Sequence, residues 1–431
     1  MNLACRVTFA GLTLLGGCAT PPAVDADIAA AARGLNSPDR PVLLARQTER
    51  IAGRGFTTGN RVELLRDGPA TYAAMAKAIA SAKQRIDMES YTFDSEEGGR
   101  FAALLMAKST AGVEVHLVFD AYGSRDTPDR LFNTLRAAGV SVLEYNPIRP
   151  NDRVPLTINQ RDHRKLLVVD GRVAITGGVN ISKVYLNPNV ASGPETLKNS
   201  DADDLPWRDT DMRIEGSVVA QFEQLFNDTW QEQHGPALPP PPISRSTGGH
   251  ARILALDGAP DDKRPAIYRT LIVALKLARH SAHLTTGYFA PPPDLRHALR
   301  EAARRGVDVQ LVVPAKSDSD LALAAGRAAF GDLLEDGVVI HERQGVVLHA
   351  KTTVIDGVYS IIGSSNLDWR SVVYNNEIDA VVIDVEFGRQ MEAMFAEDVA
   401  ASLRIDLAAW QARPFSERLT EWRARLIEPL L

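Results

Sequence analysis

The chain has 431 residues, 45% of them hydrophobic and 24% charged, with a formal net charge of −6. That composition excludes a disordered or collagen-like chain and suffices for two medium domains or one large bilobed one. The acidic total offers no general attraction for a polyanion, which weighs against nucleic acid as a partner.

Both cysteines, Cys5 and Cys18, fall in the first eighteen residues. Arg6 is followed by a short apolar run from Val7 to Leu15. A helix needs ~20 apolar residues to span a bilayer, so this run fits the hydrophobic region of a secretory signal instead. Leu15-Gly16-Gly17-Cys18 resembles a bacterial lipobox, where cleavage precedes a cysteine that is then lipidated. The expectation is a signal peptide over 1–17, then a tether and N-terminal segment over 18–60. The protein is then an exported lipoprotein held at a membrane by acyl chains. Ala19 stands where aspartate is associated with inner-membrane retention, which favours the periplasmic face of the outer membrane.

Regular patterning starts near Arg61. Val62 to Leu65 reads as a strand, Asp67-Gly68-Pro69 as a turn, and Tyr72 to Lys83 as an alanine-rich helix. Ile86 to Phe93 is a strand, Arg100 to Ser109 a helix, and Val113 to Phe119 a strand. The second half repeats the order: helix from Tyr268 to Arg279, strand within Ser281 to Phe289, helix from Asp294 to Arg305, strand from Val307 to Val313. Such alternation predicts an α/β fold of two repeated halves, 61–234 and 251–400, each a sheet flanked by helices. Pro239 to Pro242 mark a linker over 235–250, and the polar stretch Asn187 to Pro206 reads as a surface loop beside the site. In the C-terminal segment, 401–431, Leu419, Trp422, Leu426 and Ile427 recur at helical spacing. They predict a helix packed on the domain rather than one that seeks a membrane.

The halves share a motif. His163-Arg164-Lys165 leads to Asp170-Gly171, then Gly177-Gly178 and Asn180; His349-Ala350-Lys351 leads to Asp356-Gly357, then Gly363-Ser364 and Asn366. The spacing from histidine to asparagine is identical in the two copies. On a strand, alternate side chains share a face, so each histidine is expected beside its lysine, with Asp170 and Asp356 given structural roles at Asp-Gly turns. A neutral imidazole can attack a phosphodiester without charge repulsion, and a protonated one can serve its leaving oxygen. Lys165 and Lys351 can stabilise phosphoryl charge, Asn180 and Asn366 can donate through their amides, and neighbouring glycines admit backbone N–H groups. Neither metal nor cofactor is needed for this chemistry. The other histidines, His116, His234, His250, His280, His283, His297 and His341, form no metal-binding pattern. Asp209 and Glu377, at comparable places in the repeat, are candidates for orienting the histidines.

The paired motif resembles the phospholipase D superfamily. Within it the chain looks like bacterial cardiolipin synthases, on Phe119-Asp120-Ala121-Tyr122-Gly123-Ser124, Arg161 to Lys165, Gly177 to Asn180, Trp207-Arg208-Asp209-Thr210 and Asn366 to Ser371. The resemblance implies two halves about a pseudo-two-fold axis with one shared active site and a phosphohistidine intermediate. It implies His163 as nucleophile, His349 as general acid, Lys165, Lys351, Asn180 and Asn366 as phosphate ligands, and Asp209 and Glu377 as orienting carboxylates. The copies differ at Gly178 and Ser364, an asymmetry that does not say which histidine attacks. The expected reaction is phosphatidyl transfer at a membrane surface, with phosphatidylglycerol as donor and acceptor; hydrolysis to phosphatidic acid and a nuclease-type phosphodiesterase remain alternatives. The acceptor, acyl preference and oligomeric state are not legible in the sequence.

Overall fold

In this computed structural model, residues 24–32, 39–147, 159–187, 202, 205–240, 246–260, 262–425 and 428 are described. The expected signal peptide, Cys18, most of the Asn187 to Pro206 loop, Leu426 and Ile427 lie outside them.

The first half contributes strands β1 (Thr57–Leu65), β2 (Arg85–Ser90), β3 (Glu114–Asp120), β4 (Ser141–Tyr145), β5 (Arg161–Asp162), β6 (Lys165–Val169), β7 (Val173–Gly177), β8 (Trp207–Arg208) and β9 (Asp211–Glu215). The second adds β10 (Ala251–Gly258), β11 (Ser281–Thr285), β12 (Phe289–Ala290), β13 (Asp308–Pro314), β14 (Val339–Arg343), β15 (Val347–Leu348), β16 (Thr352–Ile355), β17 (Tyr359–Gly363), β18 (Leu367–Asp368), β19 (Asn375–Ile383) and β20 (Ser402–Arg404). The large sheet runs β20-β14-β13-β11-β16-β17-β19-β10-β1-β9-β7-β6-β2-β3-β4. From the central β10–β1 pair, each half runs outward in the same order, as a pseudo-two-fold axis requires. β2, β3 and β4 in the first half and β11, β13 and β14 in the second are parallel, the strands inward of them are antiparallel, and the second half adds the antiparallel edge strand β20. Parallel neighbours need crossovers, which the helices Glu97–Thr110 and Asp129–Ala137 supply in the first half.

Each half has its own core, around Phe101, Leu117 and Leu167 in the first and Leu275, Leu284 and Leu311 in the second. A third core joins them. Helices Val219–Glu232 and Val385–Ala400 bring Phe222, Phe226 and Met391 against Leu166, Met212, Ile253, Ile378 and Val382, so one buried layer crosses the axis. The N-terminal helices Asp25–Ala32 and Arg40–Ala52 also belong to the second half. Leu44 and Ile51 are buried in its core, each adding about 1.5–3 kcal/mol. Asp27 accepts from Arg269 Nε at 2.6 Å. Much of the segment grouped with the tether is therefore packed structure.

Several elements differ from the sequence reading. The helix expected from Tyr72 starts at Gly68, because the Asp67 carboxylate caps it by accepting from Ala70 N at 2.9 Å and Pro69 suits a first turn. The strand expected through Phe93 ends at Ser90, whose hydroxyl donates to Thr92 O at 2.7 Å as the chain bends into the site. The C-terminal helix Phe415–Arg425 packs on the helix Asp320–Arg327, but Trp422 faces outward while Glu421 and Ala424 are buried.

Candidate active site

The two histidines sit where the halves exchange short strands. β5 pairs in parallel with the start of β19, and His163 N donates to Asn376 O at 2.9 Å. β15 pairs in parallel with β8, and His349 N donates to Arg208 O at 2.7 Å. Each histidine thus hangs from a strand of the other half, and its carboxylate is also the other half's. His163 Nδ1 lies 3.0 and 3.1 Å from the Glu377 carboxylate oxygens, and His349 Nδ1 lies 2.6 Å from Asp209 Oδ2. With Nδ1 engaged, Nε2 is the nitrogen available to a ligand. The imidazole centroids are 6.5 Å apart, and both rings line one cavity of about 500 Å³.

Strand parity does not account for the histidine–lysine pairs. His163 and His349 precede β6 and β16 in short breaks between strands. The lysine of each pair reaches back instead: Lys165 Nζ donates to His163 O at 2.5 Å, and Lys351 Nζ donates to His349 O. Asn180 and Asn366 line the cavity. Their amide oxygens accept from Thr92 N at 3.1 Å and Tyr288 N at 3.3 Å, and Asn180 Nδ2 donates to the Tyr185 hydroxyl at 3.1 Å. Asp170 and Asp356 stand at the far ends of β6 and β16, in turns with φ near 52°. Asp170 accepts from the backbone N–H groups of Lys83, Gln84 and Arg85 at 2.8–2.9 Å. Asp356 does the same for Arg279, His280 and Ser281 at 2.7–3.1 Å.

The Gly178 and Ser364 asymmetry matches the carboxylates. The Ser364 hydroxyl donates to Glu377 Oε2 at 2.5 Å. A Cβ at Gly178 would lie 2.2 Å from Asp209 Oδ1, so that position has no room for a side chain.

Burial dominates the electrostatics. It lowers His163 to about 4 against the opposing pull of Glu377, with Lys165 adding to the fall. His349 is lowered for the same reason, with Lys351 reinforcing burial and Asp209 opposing it. Burial brings Lys165 down to about 7 and Lys351 to about 8, each partly offset by the nearby carboxylates. Burial pushes Glu377 up, but His163, Lys165 and Ser364 outweigh it and leave the carboxyl below its ordinary range. At neutral pH both imidazoles are uncharged, as attack on phosphorus requires.

Several cavity residues carried no role in the sequence reading. Tyr91 stands edge-on to His163 at 5.0 Å and under Lys165 Nζ at 5.2 Å. Trp207 is 4.9 Å from His349, and the Tyr185 hydroxyl is 3.2 Å from His349 Nδ1. Arg125, Arg161 and Arg370 line the same cavity. Asp211 and Asp379 lie behind the glycine turns, accepting from Val179 N at 3.0 Å and Ser365 N at 3.2 Å. Burial, then the charge of Asp209 or Glu377, raises them to about 8 and about 7. Each stands two residues past an orienting carboxylate, Asp379 within β19 and Asp211 at the start of β9, the one signal that could have singled them out.

Two symmetric halves of one sheet that lend each other a histidine, over one cavity holding both, define a two-motif phosphodiester-bond enzyme of the phospholipase D superfamily. Residues 75–196 and 271–399 match the family described as "Cardiolipin synthase, PLD-like domain", and the chain belongs to that family. It is 32% identical over 402 residues to the cardiolipin synthase of Geobacillus kaustophilus (strain HTA426), covering 91% of this chain and 76% of that one. It is also 32% identical over 394 residues to cardiolipin synthase A of Yersinia pseudotuberculosis serotype O:1b (strain IP 31758), covering 89% and 78% of the two chains. The fold is shared with the crystal structure of phosphatidylserine synthase from Haemophilus influenzae Rd KW20, with a TM-score of 0.68 at 12% identity, over 90% of this chain and all of that one.

Proposed function

We propose that the protein is a cardiolipin synthase-like phosphatidyltransferase that takes the phosphatidyl group of phosphatidylglycerol onto His163 and passes it to an alcohol. The carrying observation is the crossed arrangement, His163 on Glu377 and His349 on Asp209, around one cavity. Neutral His163 attacks phosphorus through Nε2, and the bond from phosphorus to the head-group oxygen breaks. His349 supplies that oxygen with a proton. The anionic phosphodiester raises the affinity of the His349 imidazole for that proton, against the burial that lowers it. Lys165, Lys351, Asn180 and Asn366 hold the non-bridging oxygens as charge shifts onto them. In the second step the acceptor hydroxyl gives its proton to His349 and attacks phosphorus, releasing His163. Phosphatidylglycerol as acceptor yields cardiolipin, and water yields phosphatidic acid.

The test offers phosphatidylglycerol vesicles to the full chain, with and without added glycerol, beside single-stranded DNA. Cardiolipin or phosphatidic acid should form, and should vanish in His163→Ala and His349→Ala; DNA cleavage with inert lipid would defeat the reading. Among the described residues no helix is long and apolar enough to cross a membrane. The second part of the proposal is that acyl chains on Cys18 anchor an exported protein, at the periplasmic face of the outer membrane. Cys18→Ser should then shift the protein from the membrane to the soluble fraction of its host.

A further inference from the structure

The helix Phe415–Arg425 carries its apolar side on the wrong face for one resting on a protein. Phe415, Leu419 and Trp422, spaced i, i+4, i+7, form one stripe, and Phe415 and Trp422 are 75% and 58% exposed. The opposite face, where Ala424 and Glu421 lie, is the buried one, with Glu421 held by Arg413 at 3.1 Å. At 100° per residue, Arg418 and Arg425 flank the apolar stripe on one side and Arg423 on the other, all three exposed.

Position adds the second argument. Ala424 packs with Ala325 and Ala290, joining this helix to the helix Asp320–Arg327. Ser319 and Ala322, at the start of that helix, line the catalytic cavity, and Leu321 between them is 43% exposed. The helix that bears the outward stripe is therefore seated on elements that line the cavity.

We propose that Phe415, Leu419, Trp422 and Leu321 form the surface by which the enzyme lies on a bilayer of anionic phospholipid. The apolar side chains enter the acyl boundary while Arg418, Arg423 and Arg425 meet the phosphates. An apolar strip bordered by cations suits that occupant better than a second copy of this acidic chain, whose face would bring the same arginines together. The proposal rests on the phospholipid reading of the site, and it sets the cavity mouth at the depth of the lipid phosphates.

The test measures vesicle binding by sedimentation, using the full chain with Cys18→Ser so that no acyl group there contributes. Vesicles of phosphatidylcholine, with and without phosphatidylglycerol, are compared. The wild-type face should favour the anionic vesicles and weaken with salt. Phe415→Ser/Trp422→Ser should lower affinity for them at least tenfold, and Leu321→Ser less. Arg418→Gln/Arg423→Gln/Arg425→Gln should remove the preference for phosphatidylglycerol. Circular dichroism melts identify any variant that fails to fold, and Leu321→Ser, on another helix, gives an independent reading. Unchanged vesicle affinity in all three variants overturns the proposal. So does a solution dimer that Phe415→Ser/Trp422→Ser splits without altering vesicle binding. Turnover of detergent-dispersed phosphatidylglycerol separates the two ideas: its absence in the wild type defeats the reaction, whereas its persistence beside unchanged vesicle binding defeats only the surface.

Discussion

Glu377 and Asp209 differ by one methylene, and the residues behind them are fitted to that difference. The longer Glu377 meets the Ser364 hydroxyl, while Asp209 stands against a position where even a Cβ cannot fit. Gly178→Ser should push Asp209 off His349 and cost about 10²-fold in kcat, the scale of a 1 Å misplacement. Ser364→Ala leaves the carboxylate in place and should cost only about tenfold, since it removes one hydrogen bond to a charged group. Glu377→Gln should lower kcat by about 10²–10⁴-fold with little change in KM. NMR titration should also find the His163 pKa below its present value of about 4, because the charge opposing burial is gone. A His163 pKa that stays put would show that Glu377 does not tune the ring. The motif residues were legible from their repetition. Asp209 and Glu377 were legible as orienting candidates, but which of them serves which histidine was not, because strand exchange between halves is a tertiary event with no local spacing.

At the scale of elements, the repeated aspartates and the short exchanged strands do different work. Asp170 and Asp356 hold left-handed turns and the backbone N–H groups at the entry to β2 and β11. Asp170→Ala should lower stability by about 2–3 kcal/mol, seen as a fall in Tm, with kcat unchanged at a temperature where the protein stays folded. A large fall in kcat without a fall in Tm would return Asp170 to the chemistry. Sequence parity separated these aspartates from the histidines, although the reason differs, since the histidines stand in breaks just outside the strands. The β-α-β order was readable because strand and helix periods are local. The outward face of the C-terminal helix was not, because helical spacing identifies a stripe but not which way it turns.

Across the whole molecule, the shared third core and the exchanged strands make the site a property of both halves. A protein cut to residues 57–234 keeps His163 and loses Glu377, and should turn over no phosphodiester. The site is also poised for an anion. Lys165 and Lys351, at about 7 and about 8, lose their protons as pH rises through that range. Sulfate carries the same charge throughout, so its dissociation constant should climb above pH 7, by up to about tenfold per pH unit for each lysine past its pKa. Calorimetric titration between pH 6.5 and 9 reads this directly, and a flat profile would show that both lysines stay charged.

The exchange of strands has a consequence for how such a chain can change over generations. In a dimer of identical single-motif subunits, one residue would have to serve at both the Gly178 and Ser364 positions, and one acid at both carboxylate positions. Fusion of the copies frees each to drift, but only in linked sets: Gly178 with Asp209 in service of His349, and Ser364 with Glu377 in service of His163. Each set is a pair of residues shaped to one another. Exchanging one member, as in Gly178→Ser or Glu377→Asp alone, breaks a fit that exchanging both members of a set could restore.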